Sequence, residues 1–212
     1  SVNLLRDPLV NKIMLVISYL ATEHEIPFSG DEMLFEILHA DWFHIPPIEI
    51  ASLTAEVAQK QYTAQKTSLR KWLYDKSRQP APDLFTPPMH ERLAAAGRIL
   101  ESLISRVSNT TVQSLFESVF RETGTLNEIM NSPKKLELLQ VLTAFFDFVK
   151  EETARNPSMN LKGLVAHLER MDKEESSLPL VEVSGRTDAV NLLTAHASKG
   201  REFEYLFIAG MN

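Results

Sequence analysis

Hydrophobic residues along most of this chain recur at intervals of three and four, the period of an amphipathic helix. Leu9, Ile13, Val16, Ile17 and Leu20 share one helical face, and Asp7-Pro8 ahead of them has the form of an N-cap followed by proline in the first turn. Pro27 and Gly30 interrupt the pattern before a shorter helix predicted over about Asp31 to Ala40. After Pro46-Pro47, a helix is predicted from Ile48 to Lys60 or beyond. Residues 77–90 hold four prolines and read as a loop, with Thr86 as the predicted cap of the next helix. That helix carries Leu93, Ala96, Leu100, Leu103 and Val107 on one face. Val112, Leu115, Phe116, Val119 and Phe120 predict another, ending at Gly124.

Ser132-Pro133 opens the most apolar stretch, from Leu136 to Val149, whose polar or small positions (Glu137, Gln140, Ala144, Asp147, Glu151) make one narrow stripe. A helix apolar over most of its circumference is expected at the centre of a bundle. Asn160 then caps a helix bearing Leu161, Leu164, Val165 and Leu168. Beyond Asp172-Lys173-Glu174-Glu175 the period changes: Val181-Glu182-Val183 alternates like a strand, and Ala189–Leu193 and Tyr205–Ala209 are strand-like runs. The predicted fold is mostly α, a helical body followed by a short α/β tail. Two buried strands do not make a stable sheet alone, so the tail needs partners.

Composition narrows the chemistry. The chain has 212 residues, no cysteine and a formal net charge of −6. Thiolate metal sites, disulfides and cysteine nucleophiles are therefore excluded. An acidic chain is not expected to bind nucleic acid tightly by itself, because phosphate neutralisation supplies most of that affinity. No apolar run reaches the roughly 18–20 residues of a membrane span, and a cytoplasmic, non-membrane protein is the expectation.

Several patterns have plain explanations. Asp31-Glu32 lacks the preceding apolar strand of a magnesium-binding carboxylate motif and reads as the acidic first turn of a helix. His90-Glu91 has no second histidine four residues after the first, so no zinc-peptidase motif is present. Trp42, Phe43, Trp72 and Tyr74 are expected to pack between helices rather than stack on bases. Lys66, Arg70, Lys71, Lys76 and Arg78 form the one locally basic stretch, read as a solvated helix face.

Between the last two strand-like runs lies Thr194-Ala195-His196-Ala197-Ser198-Lys199-Gly200-Arg201-Glu202-Phe203. A polar cluster between two strands is the usual place for a ligand-facing loop. The segment closely resembles motif V of the UvrD/PcrA/Rep/RecB group of superfamily 1 DNA helicases, T-x-H-x-[AS]-K-G-L-E-[FY]. Seven of the eight specified positions match, and Arg201 stands where the family has leucine.

The resemblance implies an organisation and a set of roles. In such helicases a helical insertion, subdomain 2B, immediately precedes motif V. Residues 1–183 thus resemble 2B, and residues 184–212 resemble a fragment of the RecA-like motor domain 2A. Glu202, Gly200 and Lys199 are the implied nucleotide-site residues, with the Glu202 carboxylate toward the ATP ribose. Thr194 and His196 are the implied link to the DNA backbone. The full-length protein would use ATP and Mg²⁺ to translocate on single-stranded DNA and unwind duplex. Its partners would be DNA, the remaining motor domains of the same polypeptide, and repair or recombination subunits.

The segment itself has no G-x-x-x-x-G-K-[ST] phosphate loop, and the family motif with a catalytic arginine is expected beyond Asn212; the isolated chain is therefore expected to be inactive, with no cofactor bound. The Gly-Ile-Gly-type loop with which some relatives grip duplex DNA is replaced here by Trp42-Phe43-His44-Ile45-Pro46-Pro47, a pattern closer to RecB- or AddA-like relatives. The competing reading is a non-enzymatic helical interaction module with a motif V-like tail.

Overall fold

Asp7 starts the helical body: its side chain accepts a hydrogen bond from the Leu9 N–H at 2.8 Å, and Pro8 occupies the first turn, where no N–H is needed. In the computed structural model, which describes residues 3–78, 88–174 and 178–179, the chain is mostly helical. The described residues all fall within the unit Ser1–Val181. Helix α1 spans Pro8–Glu25 and is followed by α2 (Asp31–Leu38), α3 (Pro47–Lys60) and α4 (Leu69–Arg78). Then come α5 (Glu91–Arg106), α6 (Val112–Glu122), α7 (Thr125–Asn131), α8 (Lys135–Arg155) and α9 (Leu161–Lys173). Short 3-10 turns at Leu4–Arg6 and Asp41–Phe43 precede α1 and α3. The expected strands at 181–183, 189–193 and 205–209 lie outside the described residues.

The central helix is α1, not α8 as the apolar pattern predicts. It packs against α2, α5, α6, α8 and α9 and buries Leu9, Val10, Ile13, Val16, Ile17, Tyr19 and Leu20. Helix α8 contacts only part of this set, turning Val141, Leu142, Phe145 and Val149 inward toward α1, α6 and α7. Its other apolar residues line the edges of that contact: Phe146 is half-buried, its ring 5.7 Å from Phe120, and Leu136 is 72% exposed. Hydrophobic breadth here reflects a wide contact on one side rather than neighbours all round.

Two helix starts differ from expectation. Helix α5 begins at Glu91, with the His90 ring accepting from the Arg92 N–H; Thr86, the expected cap, lies outside the described residues. Helix α8 begins two residues after Pro133. The caps at Asn160 and Gly124 stand as expected: Asn160 Oδ1 accepts from Gly163 N–H at 2.9 Å, and Gly124 sits at φ +88° just past α6.

The two ends of the unit meet. Leu4 N–H donates to the Leu178 carbonyl at 2.8 Å, and Leu178 N–H donates to Asn3 Oδ1 at 3.1 Å. Asn3 and Pro179 form an antiparallel bridge. Leu4 and Leu5, in the short turn that follows Asn3, are buried in the same core as α1.

Candidate functional site

The sequence-predicted site residues Thr194, His196, Lys199, Gly200 and Glu202, with Arg201 among them, lie outside the described residues. Among the polar clusters of the described helical unit, two are built on α4.

The first is internal. Leu69 and Leu73 bury one face of α4, and Arg70, beside them, is turned inward. The Arg70 guanidinium forms a two-toothed pair with Glu101 of α5, Nε to Oε1 at 2.8 Å and Nη2 to Oε2 at 3.0 Å. Its Nη1 reaches Glu23 of α1 at 2.5 Å. The Glu23 side chain is fully buried, and its carboxylate also accepts from the N–H groups of Phe28 and Gly30, both at 2.7 Å.

The turn between α1 and α2 is shaped around this carboxylate. Phe28 adopts φ +67°, and a Cβ at Gly30 would stand 2.9 Å from the Tyr19 ring. Asp31 completes the cluster by accepting from the Leu69 and Arg70 N–H groups at 2.7 and 3.2 Å, so it caps α4 as well as opening α2. Hydrogen bonding to Glu101, with the Glu23 bond adding, raises the Arg70 guanidinium above its ordinary value despite burial. Burial pushes the Tyr19 hydroxyl well up, and the Glu23 charge adds to that.

Reading the basic stretch as a solvated face fails at Arg70. Its charge is consumed within the fold, and the cluster braces α1, α4 and α5 with its acceptors matched to donors. The only signal for this in the sequence was position: Arg70 follows Leu69 and precedes Leu73 on the apolar side of the helix.

The second cluster is on the surface, where α3 and α4 meet. Trp72 donates its indole N–H to Glu56 at 2.7 Å, and Lys76 reaches the same carboxylate at 2.7 and 2.9 Å. Burial alone would raise the Glu56 carboxyl; the bonds from Lys76 and Trp72, with Lys60 nearby, hold it below the ordinary value. Lys60 lies over the Trp72 ring, 4.3 Å from its centre. On another face of α4, Arg78 stacks on the Tyr74 ring at 3.9 Å and donates to its hydroxyl. Trp72 and Tyr74 are both half-buried; Trp72 packs against the core as expected, whereas the Tyr74 ring meets Arg78 of its own helix.

At the segment Trp42–Pro47, the aromatic pair serves the core: Trp42 and Phe43 are each 7% exposed. His44 adopts φ +49° and pairs through Nε2 with Glu128 of α7. An open groove of about 600 Å³ lies at the C-terminal end of α1 against the starts of α6 and α9. Lys162 on its rim is paired with Glu25 at 2.8 Å. Among the described residues, no group of three His, Asp or Glu is placed to hold a metal ion, and no helix is long and apolar enough to cross a membrane. The clusters are suited to binding and bracing; neither sets a nucleophile against a base.

Known proteins resemble parts of this chain. No family model matches the chain, and no solved structure does. Curated proteins similar to part of the chain include ATP-dependent helicases. The chain is 26% identical over 138 residues to an ATP-dependent helicase/nuclease subunit of Ligilactobacillus salivarius, a match covering 64% of this chain and 11% of that protein. It is 27% identical over 112 residues to the ATP-dependent DNA helicase UvrD2 of Mycobacterium tuberculosis, covering 53% of this chain and 15% of that protein. With the ATP-dependent DNA helicase PcrA of Bacillus subtilis it shares 25% identity over 123 residues, 54% of this chain and 16% of the relative. The partial homologues are thus UvrD/PcrA-type helicases, and the chain spans between 11% and 16% of the length of these three.

Proposed function

We propose that this chain is a segment of an ATP-dependent DNA helicase, comprising a helical 2B-like subdomain over residues 1–183 and motif V of motor subdomain 2A within residues 184–212. The observation that carries the reading is the ordered set Thr194, His196, Ser198, Lys199, Gly200, Glu202 and Phe203 between two strand-like runs. The partial helicase homologues support it.

The side chains suit the roles. An ionised Glu202 accepts two hydrogen bonds, which matches the paired hydroxyls of a ribose. Thr194 and a ring N–H of His196 donate to phosphate oxygens of the DNA backbone. Gly200 lets the backbone approach a ligand closely, and Lys199 adds positive charge beside it. The Glu202 acceptor fits the hydroxyls of the ATP sugar rather than its phosphates, which a carboxylate repels. Phosphate and Mg²⁺ binding, and the hydrolysis that drives translocation, fall to the remaining motor domains of the full-length protein. The helical body regulates unwinding.

The test is DNA-stimulated ATPase and strand separation by the full-length protein, with Glu202→Ala and His196→Ala beside wild type. Glu202→Ala is expected to raise the ATP concentration for half-maximal rate about tenfold, the effect of losing roughly 1.5 kcal/mol of charge-assisted hydrogen bonding. His196→Ala is expected to weaken the stimulation by DNA while leaving basal hydrolysis in place. A wild-type protein with neither activity would overturn the reading in favour of a helical interaction module.

A further inference from the structure

Helix α2 turns Leu34, Ile37 and Leu38 into the core and leaves Glu32, Phe35, Glu36 and His39 exposed. Those four stand three and four residues apart, a spacing that puts them on one side of the helix. The Phe35 and His39 rings confirm it, their centres 4.5 Å apart. Phe35 is 43% exposed in the middle of this face. Glu36 and His39 also line a groove of about 180 Å³ between α2 and α1, so face and groove are one continuous surface. The groove has an apolar floor, made by Leu15 and Val16 of α1 with Ile37, Ala40 and Trp42.

The charge on this surface is one-sided. Neither Glu32 nor Glu36 has a side-chain partner among the described residues. Lys12, the cation on the rim, is already paired with Asp41 at 3.3 Å. The groove lies at the C-terminal end of α2, where helix carbonyls carry partial negative charge, and the last turn of α2 holds no basic residue to offset it. His39 Nδ1 donates to the Phe35 carbonyl at 2.8 Å, so the neutral ring has Nε2 as a further acceptor.

We infer that the outer face of α2 and the groove beside it are a docking surface for a basic segment of a partner protein. An apolar side chain of that segment enters the groove beside Phe35, and flanking arginines or lysines meet Glu32 and Glu36. Unpaired carboxylates attract a cationic segment and repel a polyanion, so the sign of the rim selects the partner. The groove, at about 180 Å³, is smaller than the roughly 300–1,000 Å³ of a small-molecule site and suits one anchoring side chain. The inference stands apart from the helicase reading and uses none of the motif V residues.

The test is fluorescence anisotropy of a short labelled peptide, one leucine flanked by arginines, titrated with the 212-residue chain across a salt series. Two further peptides replace the leucine by serine or the arginines by glutamate. Wild type is compared with Glu32→Gln/Glu36→Gln, with Phe35→Ala, and with Glu117→Gln/Glu137→Gln, which removes two exposed carboxylates from α6 and α8. Circular dichroism verifies that each retains its helix content. The α2 double variant is expected to bind the arginine peptide about tenfold more weakly at low salt, with the gap closing as salt rises. Phe35→Ala and the serine peptide should each weaken binding by about fivefold at every salt concentration. The control pair should bind like wild type, and amide shifts on adding peptide should fall on α2, Leu15 and Val16.

Absence of binding by wild type, equal loss in the control pair, or equal affinity for the serine or glutamate peptide would overturn the inference. So would a wild-type dimer in sedimentation that Phe35→Ala abolishes, because it would assign the face to a second copy of the chain. None of these outcomes touches the helicase reading, which stands or falls on the ATPase of the full-length protein.

Discussion

Removing the guanidinium of Arg70 would leave the Glu23 carboxylate in the core with only the Phe28 and Gly30 N–H groups for company. An uncompensated buried charge is among the costliest defects a fold can carry. Arg70→Met is expected to lower stability by about 3–5 kcal/mol, measured by urea denaturation. Adding Glu23→Gln should recover part of that loss, because the orphaned charge is then gone. Nothing local in the sequence announces this role. The partners of Arg70 lie 47 and 31 residues away, and a cation in a basic run is ordinarily solvent-facing. The caps at Asp7 and Asn160 were legible for the opposite reason: each acts within three residues of itself. Trp42 and Phe43 were legible as core residues because large aromatic rings rarely find enough contact elsewhere.

At the level of elements, α6 and α7 are joined by only two residues, Thr123 and Gly124. Gly124 adopts φ +88°, and a Cβ there would stand 3.0 Å from the Trp42 carbonyl oxygen. Gly124→Ala therefore meets both a left-handed backbone penalty and a backbone clash. A loss of about 2 kcal/mol is expected, seen as a fall of roughly 4–8 °C in the thermal midpoint for a domain of this size. The glycine could be read from the sequence as a helix stop, but α7 beyond it could not. Its seven residues span two turns, too few to establish a period, and only Thr125 and Ile129 are buried. Helix α4 was hidden differently: its charged residues outnumber its apolar ones, and it is held by Asp31, Glu23 and Glu101 from other helices. Helix α8 was read as a helix but misplaced, since apolar breadth does not say which faces find neighbours.

For the helical unit as a whole, the helical class was legible, while the packing order that makes α1 the hub was not; the motif at Thr194–Phe203 lies outside the described residues. A motif is a string of chemical requirements written in order along the chain; a hub emerges only when distant segments meet. The meeting of the unit's two ends belongs to this scale. Asn3 Oδ1 serves both Leu5 N–H at 3.2 Å and Leu178 N–H at 3.1 Å. Asn3→Ala is expected to cost about 1 kcal/mol and to speed amide exchange at Leu4 and Leu178, with the amides of α1 unchanged. This clasp also has a mechanical side. Tension applied at the two ends of the unit would load the few bonds among Asn3, Leu4, Leu178 and Pro179 before any helix behind them. The helices would feel the pull only after the clasp had parted, so the clasp sets the force at which the unit begins to yield and shields its interior below that force.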